Sequence, residues 1–353
     1  MMKNNFSLLG IGACGGNQVA AFKKYGMNSF YINSALEDLQ SLGIDNIHYY
    51  HLDGANGCHK NRDVSKTYLS DNYEDILRNI ERYSTGKYIF LFGSIGGGTF
   101  SGMCALITEL IESELNKIVI PVVTIPNFSE SLQAKTNAYE SLKELLDVVK
   151  HTVFIVDNNK ETNYVKSNEI LANLIYSLIS DVSTSADGIY DYSEICSMLE
   201  CHGYGIINTF TRKPNQSNIT SELKRAVTNN IFCDIESRNP LYYCGIKNST
   251  MRKTVSIDTS ELQLQFGFWR DLFLGYQTKT NLIFLSGLKY PATTINALYK
   301  SIQEDKRRIE EDLKSSQSES LFKDDYSIAL SSSLQEKKTL SAREKLIQMR
   351  NSK

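Results

Sequence analysis

Apolar positions in the first 160 residues come as short unbroken runs, separated by stretches where they recur every three or four residues. The runs are FSLLGIG (6–12), SFYIN (29–33), IHYYHL (47–52), KYIFLF (87–92), KIVIPVVTI (117–125) and TVFIVD (152–157). Between them, GNQVAAFKKY reads as a helix stopping at Gly26, and KTYLSDNYEDILRNIERY (66–83) has a helical period. Further helices are predicted from about Thr99 and over ESLQAKTNAYESLKELLDVVK (130–150). Continuous Val/Ile/Phe runs joined by helices predict a parallel sheet covered on both faces. Right-handed crossovers then make a doubly wound α/β domain with ligands at the carboxyl ends of its strands.

The pattern changes after that. NEILANLIYSLISDV (168–182) is apolar round most of its circumference, as suits a helix buried between two domains. Between 203 and 290, YGIINTFTR, LYYCGI, TVSIDT and NLIFLSGL predict strands of a smaller mixed sheet, with one helix at 218–229. After Pro291 the chain reads as a helix to about Lys314, then turns polar and Ser-rich. The expected organisation is a nucleotide-sized α/β domain (1–165), a long central helix (166–187) and a second, smaller α+β domain (188–290). A C-terminal helix (291–314) and a flexible tail (315–353) follow.

Composition narrows the classes. Hydrophobic residues make up 41%, charged residues 22%, and the net charge is −2, so no global basic field points to nucleic acid or membrane. The short apolar run near the N-terminus leads straight into glycines and reads as a buried strand, not as a signal peptide or anchor. Seven scattered cysteines without a CxxC pair fit reduced thiols in a cytoplasm. Neither His48, His51, Cys58 and His59 nor Cys196, Cys201 and His202 have zinc-finger spacing, so no metal held directly by the protein is expected.

The candidate chemistry lies in two glycine-rich turns that each follow a strand and open a helix. One is Gly10-Ile11-Gly12-Ala13-Cys14-Gly15-Gly16-Asn17, and the other is Ser94-Ile95-Gly96-Gly97-Gly98-Thr99-Phe100-Ser101-Gly102. Glycines let backbone N–H groups approach phosphate oxygens, and a helix N-terminus adds partial positive charge. Thr99 and Ser101 add hydroxyls. The stretch Leu91 to Met103 holds no Lys, Arg or His. The GxxxxGK[ST] loop is absent, and Asn33 and Ser34 stand where a dinucleotide fold would place an acid, which argues against both of those enzyme types.

GGGTFSG (96–102) resembles the GGGTG[ST]G signature of the tubulin/FtsZ family, with Phe100 in place of a glycine. GIGACGGN is similar to that family's first nucleotide loop, which implies phosphate contacts from Gly12, Ala13, Cys14, Gly15 and Gly16, and places Asn17 at the ribose or base. DGANG (53–57) resembles its third loop, bringing Gly54, Ala55 and Asn56 towards the γ-phosphate. VVTIPNFSE implies a ribose contact from Glu130, and FIVDN a guanine contact from Asn158, with Asn173 as a second guanine reader. GIYDYSEIC (188–196) resembles the family's N-x-D-F-x-D loop, which completes the neighbouring subunit's site. Asp191 and Glu194 would then be catalytic beside Thr99, with Ile189 in place of the Asn. Read without the resemblance, Asp191 and Glu194 more readily make an N-terminal cap with dipole partners than a catalytic pair.

The resemblance implies a GTPase that binds GTP/GDP with Mg²⁺ and assembles into head-to-tail homopolymers. The chain end, from Glu336, carries six basic residues against two acidic ones and no proline. That ending looks more like the plasmid- and phage-borne TubZ branch, whose filaments carry a DNA-bound adaptor protein, TubR, on a basic tail. The alternatives are an FtsZ-like division polymer and a nucleotide-binding scaffold with little hydrolysis.

Overall fold

The computed structural model describes residues 2–182, 188, 190–213, 215–317 and 343. Its strands are β1 (Phe6–Ile11), β2 (Asn28–Asn33), β3 (Tyr49–His51), β4 (Tyr88–Ser94), β5 (Ile118–Ile125) and β6 (Thr152–Asp157), then β7 (Gly203–Thr209), β8 (Asn239–Asn248), β9 (Gly267–Tyr276) and β10 (Leu282–Leu288). Its α-helices are α1 (Gly12–Ala20), α2 (Leu36–Ser41), α3 (Arg62–Tyr83), α4 (Thr99–Glu114) and α5 (Leu132–Val148). They continue with α6 (Tyr164–Ser180), α7 (Tyr192–Glu200), α8 (Thr220–Thr228), α9 (Thr259–Phe266) and α10 (Ala292–Gln317).

The strands form one sheet in the order β3-β2-β1-β4-β5-β6-β7-β10-β8-β9. From β3 to β7 every pairing is parallel, as the unbroken apolar runs predict, and Leu8, Leu9, Phe90, Phe92, Val122 and Phe154 are fully buried in it. The expected smaller mixed sheet is present but continuous with the first: β7 pairs with β6 through Thr152↔Gly203, Val153↔Tyr204 and Phe154↔Gly205. A Cβ on Gly205 would sit 2.5 Å from Thr152 Cγ2, so its absence lets the two strands close up.

Two elements of the second half differ from the reading above. TVSIDT is not a strand: Asp258 accepts a hydrogen bond from Glu261 N and caps α9, a helix the pattern did not announce. The ten-residue β9 was also missed, because half-buried Leu272, Phe273 and Leu274 interrupt any clean alternation. α3 and α6 start earlier than periodicity suggests, since Asn61 and Asn163 cap them with their side chains. α6 buries one stripe (Leu171, Leu174, Ile175, Leu178) between α1 and strands β7 and β10, while Asn173 is exposed. The end of the central helix as first drawn (183–187), Ile189 and almost all of the tail lie outside the described residues. α10 docks on α5 through buried Lys135, which meets Asp305 at 2.5 Å and Ser301 Oγ at 2.9 Å.

Candidate functional site

Three strand ends and two glycine-opened helices enclose a cleft of about 320 Å³ at the carboxyl edge of the sheet. Ile11, Gly12, Ala13 and Cys14 line it where β1 becomes α1, and Ser94 with Gly96–Phe100 where β4 becomes α4. Glu130 closes one side. The other side is Asn33, Ser34, Ala35 and Asp38, with Gly57, Cys58, His59 and Lys60 from the loop before α3.

The hydroxyls and thiols are tied together on that wall. Ser34 Oγ and Thr99 Oγ1 lie 2.8 Å apart, and Cys58 Sγ is 3.4 Å from Ser34 Oγ. Asn33 orients the turn, accepting from Ser34 N at 2.8 Å and donating to Asp38 Oδ2 at 2.9 Å. His59 and Lys60 are consecutive non-glycine residues in the left-handed region (φ 47° and 59°), a strained arrangement that the cleft wall maintains. Lys60 is also the cation that the glycine turn lacks. Its ammonium donates to Ser131 Oγ at 3.2 Å at the cleft rim. Burial pushes the Cys14 thiol up to about 11, so no thiolate opposes an anionic ligand there.

The three consecutive glycines have different jobs. A Cβ on Gly98 would fall 2.8 Å from Cys58 Cβ and 2.9 Å from Lys60 N. One on Gly96 would press on Pro126 Cγ at 3.1 Å and Ala134 O at 3.2 Å. At Gly97 the nearest atom would be Ser94 O at 3.7 Å, so only there is the space left open for a ligand.

Several residues expected at the phosphates make packing contacts. Ser101 is buried and donates to Gly97 O at 2.5 Å and Gly98 O at 3.1 Å, so it stiffens the turn from inside. A Cβ on Gly15 would meet Phe92 O at 2.3 Å, one on Gly16 Leu42 Cδ1 at 3.0 Å, and one on Gly102 Arg62 O at 2.4 Å. These are helix–strand and helix–helix contacts. Gly54, Ala55 and Asn56 do not line the cleft; Ala55 is tucked inward, and the three residues after Gly57 take that place. Phe100 buries its ring against Gly93, whose Cβ would lie 2.2 Å from it, so the bulkier residue turns into the core.

The residues expected at ribose and base are only partly assembled. Glu130 lines the cleft, its carboxylate accepting from Asn127 N at 3.1 Å, while Asn127 Nδ2 donates to Asn158 O at 3.2 Å. Asn158 therefore borders the turn of Glu130 without entering the wall. Asn173 accepts a hydrogen bond from Tyr25, whose ring stacks on Tyr176 at 3.9 Å. Asn17 is exposed and lies outside the cleft.

Asp191 and Glu194 form a capping box at the start of α7. Asp191 accepts from Ser193 N at 2.7 Å, and Glu194 accepts from Asp191 N at 2.9 Å. The Glu194 side chain first, then the Ser193 N–H and hydroxyl, hold the Asp191 carboxyl below its ordinary value, so it is ionised at neutral pH. The pair is not at the cleft. Tyr192 is bonded to Asn5 and stands edge-on to Phe6 at the opposite end of β1, and Tyr88 at the start of β4 donates to Glu200 of α7. With six residues in β1 at about 3.3 Å each, roughly 20 Å separates the two ends.

Asn33, Ser34, Asp38, Gly57, His59 and Lys60 were not picked out as site residues. Asn33 and Ser34 were visible as short polar residues ending an apolar strand. The loop residues depend on a backbone path that no motif encodes. Among the described residues, no group of three or more His, Cys, Asp or Glu side chains is placed to hold a metal, and no helix is long and apolar enough to cross a membrane.

Residues 5–166, the stretch that builds this cleft, match the Tubulin/FtsZ family, GTPase domain. Over 311 residues, 86% of this chain, the sequence is 26% identical to the Tubulin-like protein TubZ of Clostridium botulinum C phage, spanning 84% of that protein. The fold matches tail-truncated TubZ from C. botulinum phage c-st (TM-score 0.76, 24% identity, 87% of this chain and 100% of that one). It also matches the GTPγS-form protofilament of Bacillus thuringiensis serovar israelensis TubZ (TM-score 0.75, 15% identity, 88% and 94%).

Proposed function

We propose that this chain binds GTP in the cleft and hydrolyses it only within a head-to-tail filament, where Asp191 and Glu194 of one copy reach the nucleotide of the next. The observation that carries the reading is the separation of the two halves: cleft at one end of β1, acid pair at the other. Stacking a second copy end to end supplies each half with its complement. The solved protofilament of a TubZ relative supports such an assembly.

The residues on the wall fit a nucleoside triphosphate. The open space at Gly97 and the start of α4 suit the phosphates, with Gly12, Gly98 and Thr99 alongside and Lys60 supplying positive charge. Mg²⁺ bound with the nucleotide would supply the remaining positive charge, with no protein ligand assigned to it. Glu130 serves the ribose, and Asn158 and Asn173 the guanine once Tyr25 yields. Asp191 and Glu194 orient and polarise the attacking water. The place of action is the cytoplasm, and the basic tail recruits a DNA-bound adaptor protein of the TubR kind, so that filaments move plasmid or phage DNA.

Turnover measured against protein concentration, beside electron microscopy with GTP and GDP, tests this. Activity per molecule is expected to rise with filament mass. Constant activity per molecule down to concentrations without filaments overturns it.

A further inference from the structure

Lys247 is buried in β8, far from the cleft, with none of its surface exposed. Its ammonium donates to the carbonyls of Ser177 at 2.9 Å and Leu178 at 2.7 Å, and to that of Asp181. These are the unpaired carbonyls at the C-terminal end of α6, where a cation also meets the negative end of the helix dipole. The same ammonium lies 5.5 Å from the ring centroid of Tyr190, the residue before Asp191.

β8 shapes itself to this neighbour. A Cβ on Gly245 would fall 2.6 Å from Tyr190 Oη and 2.9 Å from Met198 Sδ on α7. Tyr190 is buried, stacked on Phe273, and its hydroxyl has no hydrogen-bond partner among the described residues, so ring and cation hold it in place. A buried lysine costs folding free energy unless its contacts repay desolvation, and here the three carbonyls at the end of α6 and the Tyr190 ring supply them.

We infer that Lys247 is a positioning residue for hydrolysis: it joins the end of α6, which packs on α1 beside the cleft, to the residue that precedes the acid pair. The inference rests on the reading of Asp191 and Glu194 given above. Only a protonated amine has three donors for three carbonyls. Burial pushes Lys247 down to about 7, against the pull of Asp181. The Asp181 carboxylate is itself held by Thr280 N and Oγ1. Among the described residues, the other titratable groups on this side are Tyr190, raised by burial, Cys244 on β8, also raised, and Glu194 on α7. Loss of the proton above about 7 leaves one carbonyl without a donor and loosens the join.

The test is turnover by preformed filaments from pH 6 to 8.5, with GTP affinity of the monomer measured alongside. Wild type is expected to lose about threefold in kcat as pH rises through 7. Lys247→Met and Tyr190→Leu should be slower and lack that step, with GTP affinity unchanged. Folded, assembled Lys247→Met with the wild-type rate and profile overturns the inference, as does a rate loss matched by an equal loss of GTP affinity. If Lys247→Met does not fold, Tyr190→Leu decides by the same criteria. Asp191→Asn is measured in parallel. Wild-type turnover by Asp191→Asn would sink the acid-pair reading itself, whereas an inactive Asp191→Asn beside an unaffected Lys247→Met refutes Lys247 alone.

Discussion

Ser34 and Thr99 meet hydroxyl to hydroxyl at 2.8 Å, joining the end of β2 to the first turn of α4 across the cleft. Each is therefore worth more as a member of the pair than alone. Thr99→Ala and Ser34→Ala should each weaken GTP binding about fivefold, the equivalent of about 1 kcal/mol for one hydrogen bond. The double variant should lose little more than either single one. A calorimetric double-mutant cycle checks this, and fully additive losses would show that the two hydroxyls act independently.

The neighbouring glycines divide ligand space from packing. Gly97→Ala adds a Cβ with no protein atom nearer than 3.7 Å, so thermal stability should hold while GTP affinity drops at least about tenfold. Gly98→Ala drives a Cβ to 2.8 Å from Cys58 Cβ and should lower the melting temperature by several degrees as well. Melting curves with and without GTP separate the two. Unchanged GTP binding by Gly97→Ala would refute the assignment of that space to phosphate.

The parallel half of the fold was legible because β1, β4, β5 and β6 are buried on both faces and read as unbroken apolar runs. The second half was legible only in part. β9 has half-buried faces, and the start of α9 depends on one Asp cap inside a Val/Ile-rich stretch. In the site, glycine spacing located both turns correctly but did not say which glycine faces a ligand. Gly15, Gly98 and Gly102 are required by atoms tens of residues away, such as Phe92 O and Arg62 O. The same holds for Lys60, which enters through a loop whose left-handed backbone at His59 and Lys60 no local preference announces.

Asp191 and Glu194 cap α7 as well as carrying charge, so the choice of substitution matters. Asp191→Asn and Glu194→Gln keep the oxygens that accept from the backbone and should fold normally, yet turn over at least about a hundredfold more slowly, leaving long-lived filaments. Asp191→Ala should also lose about 1 kcal/mol of stability with its cap. Because the carboxyl is held below its ordinary value of 3.8, Asp191 stabilises the fold above that value, and the contribution disappears as pH falls through the lowered one. Unfolding curves from pH 7 to 3 should therefore converge for wild type and Asp191→Asn at the acid end. Thr99→Ala should also slow turnover by disturbing the phosphate end, and mixing it with an acid-pair variant should give more activity than the separate rates add up to, at junctions where an intact cleft meets an intact acid pair. Strictly additive rates in that mixture would mean a site complete within one chain.

The last expectation concerns residues 336–353, whose six basic and two acidic residues sit on a chain of net charge −2. The remainder of the molecule is therefore distinctly acidic, and a basic end with Leu340, Leu346, Ile347 and Met349 interspersed is suited to an acidic or DNA-bound partner. Deleting that end should leave GTP binding, filaments and turnover within about twofold of the full chain, while co-sedimentation with a DNA-bound adaptor is lost. The charge term predicts a second signature: adaptor binding by the full chain should weaken steeply between about 50 and 200 mM salt. A truncated chain that still co-sediments with the adaptor complex would assign recruitment to the folded body instead.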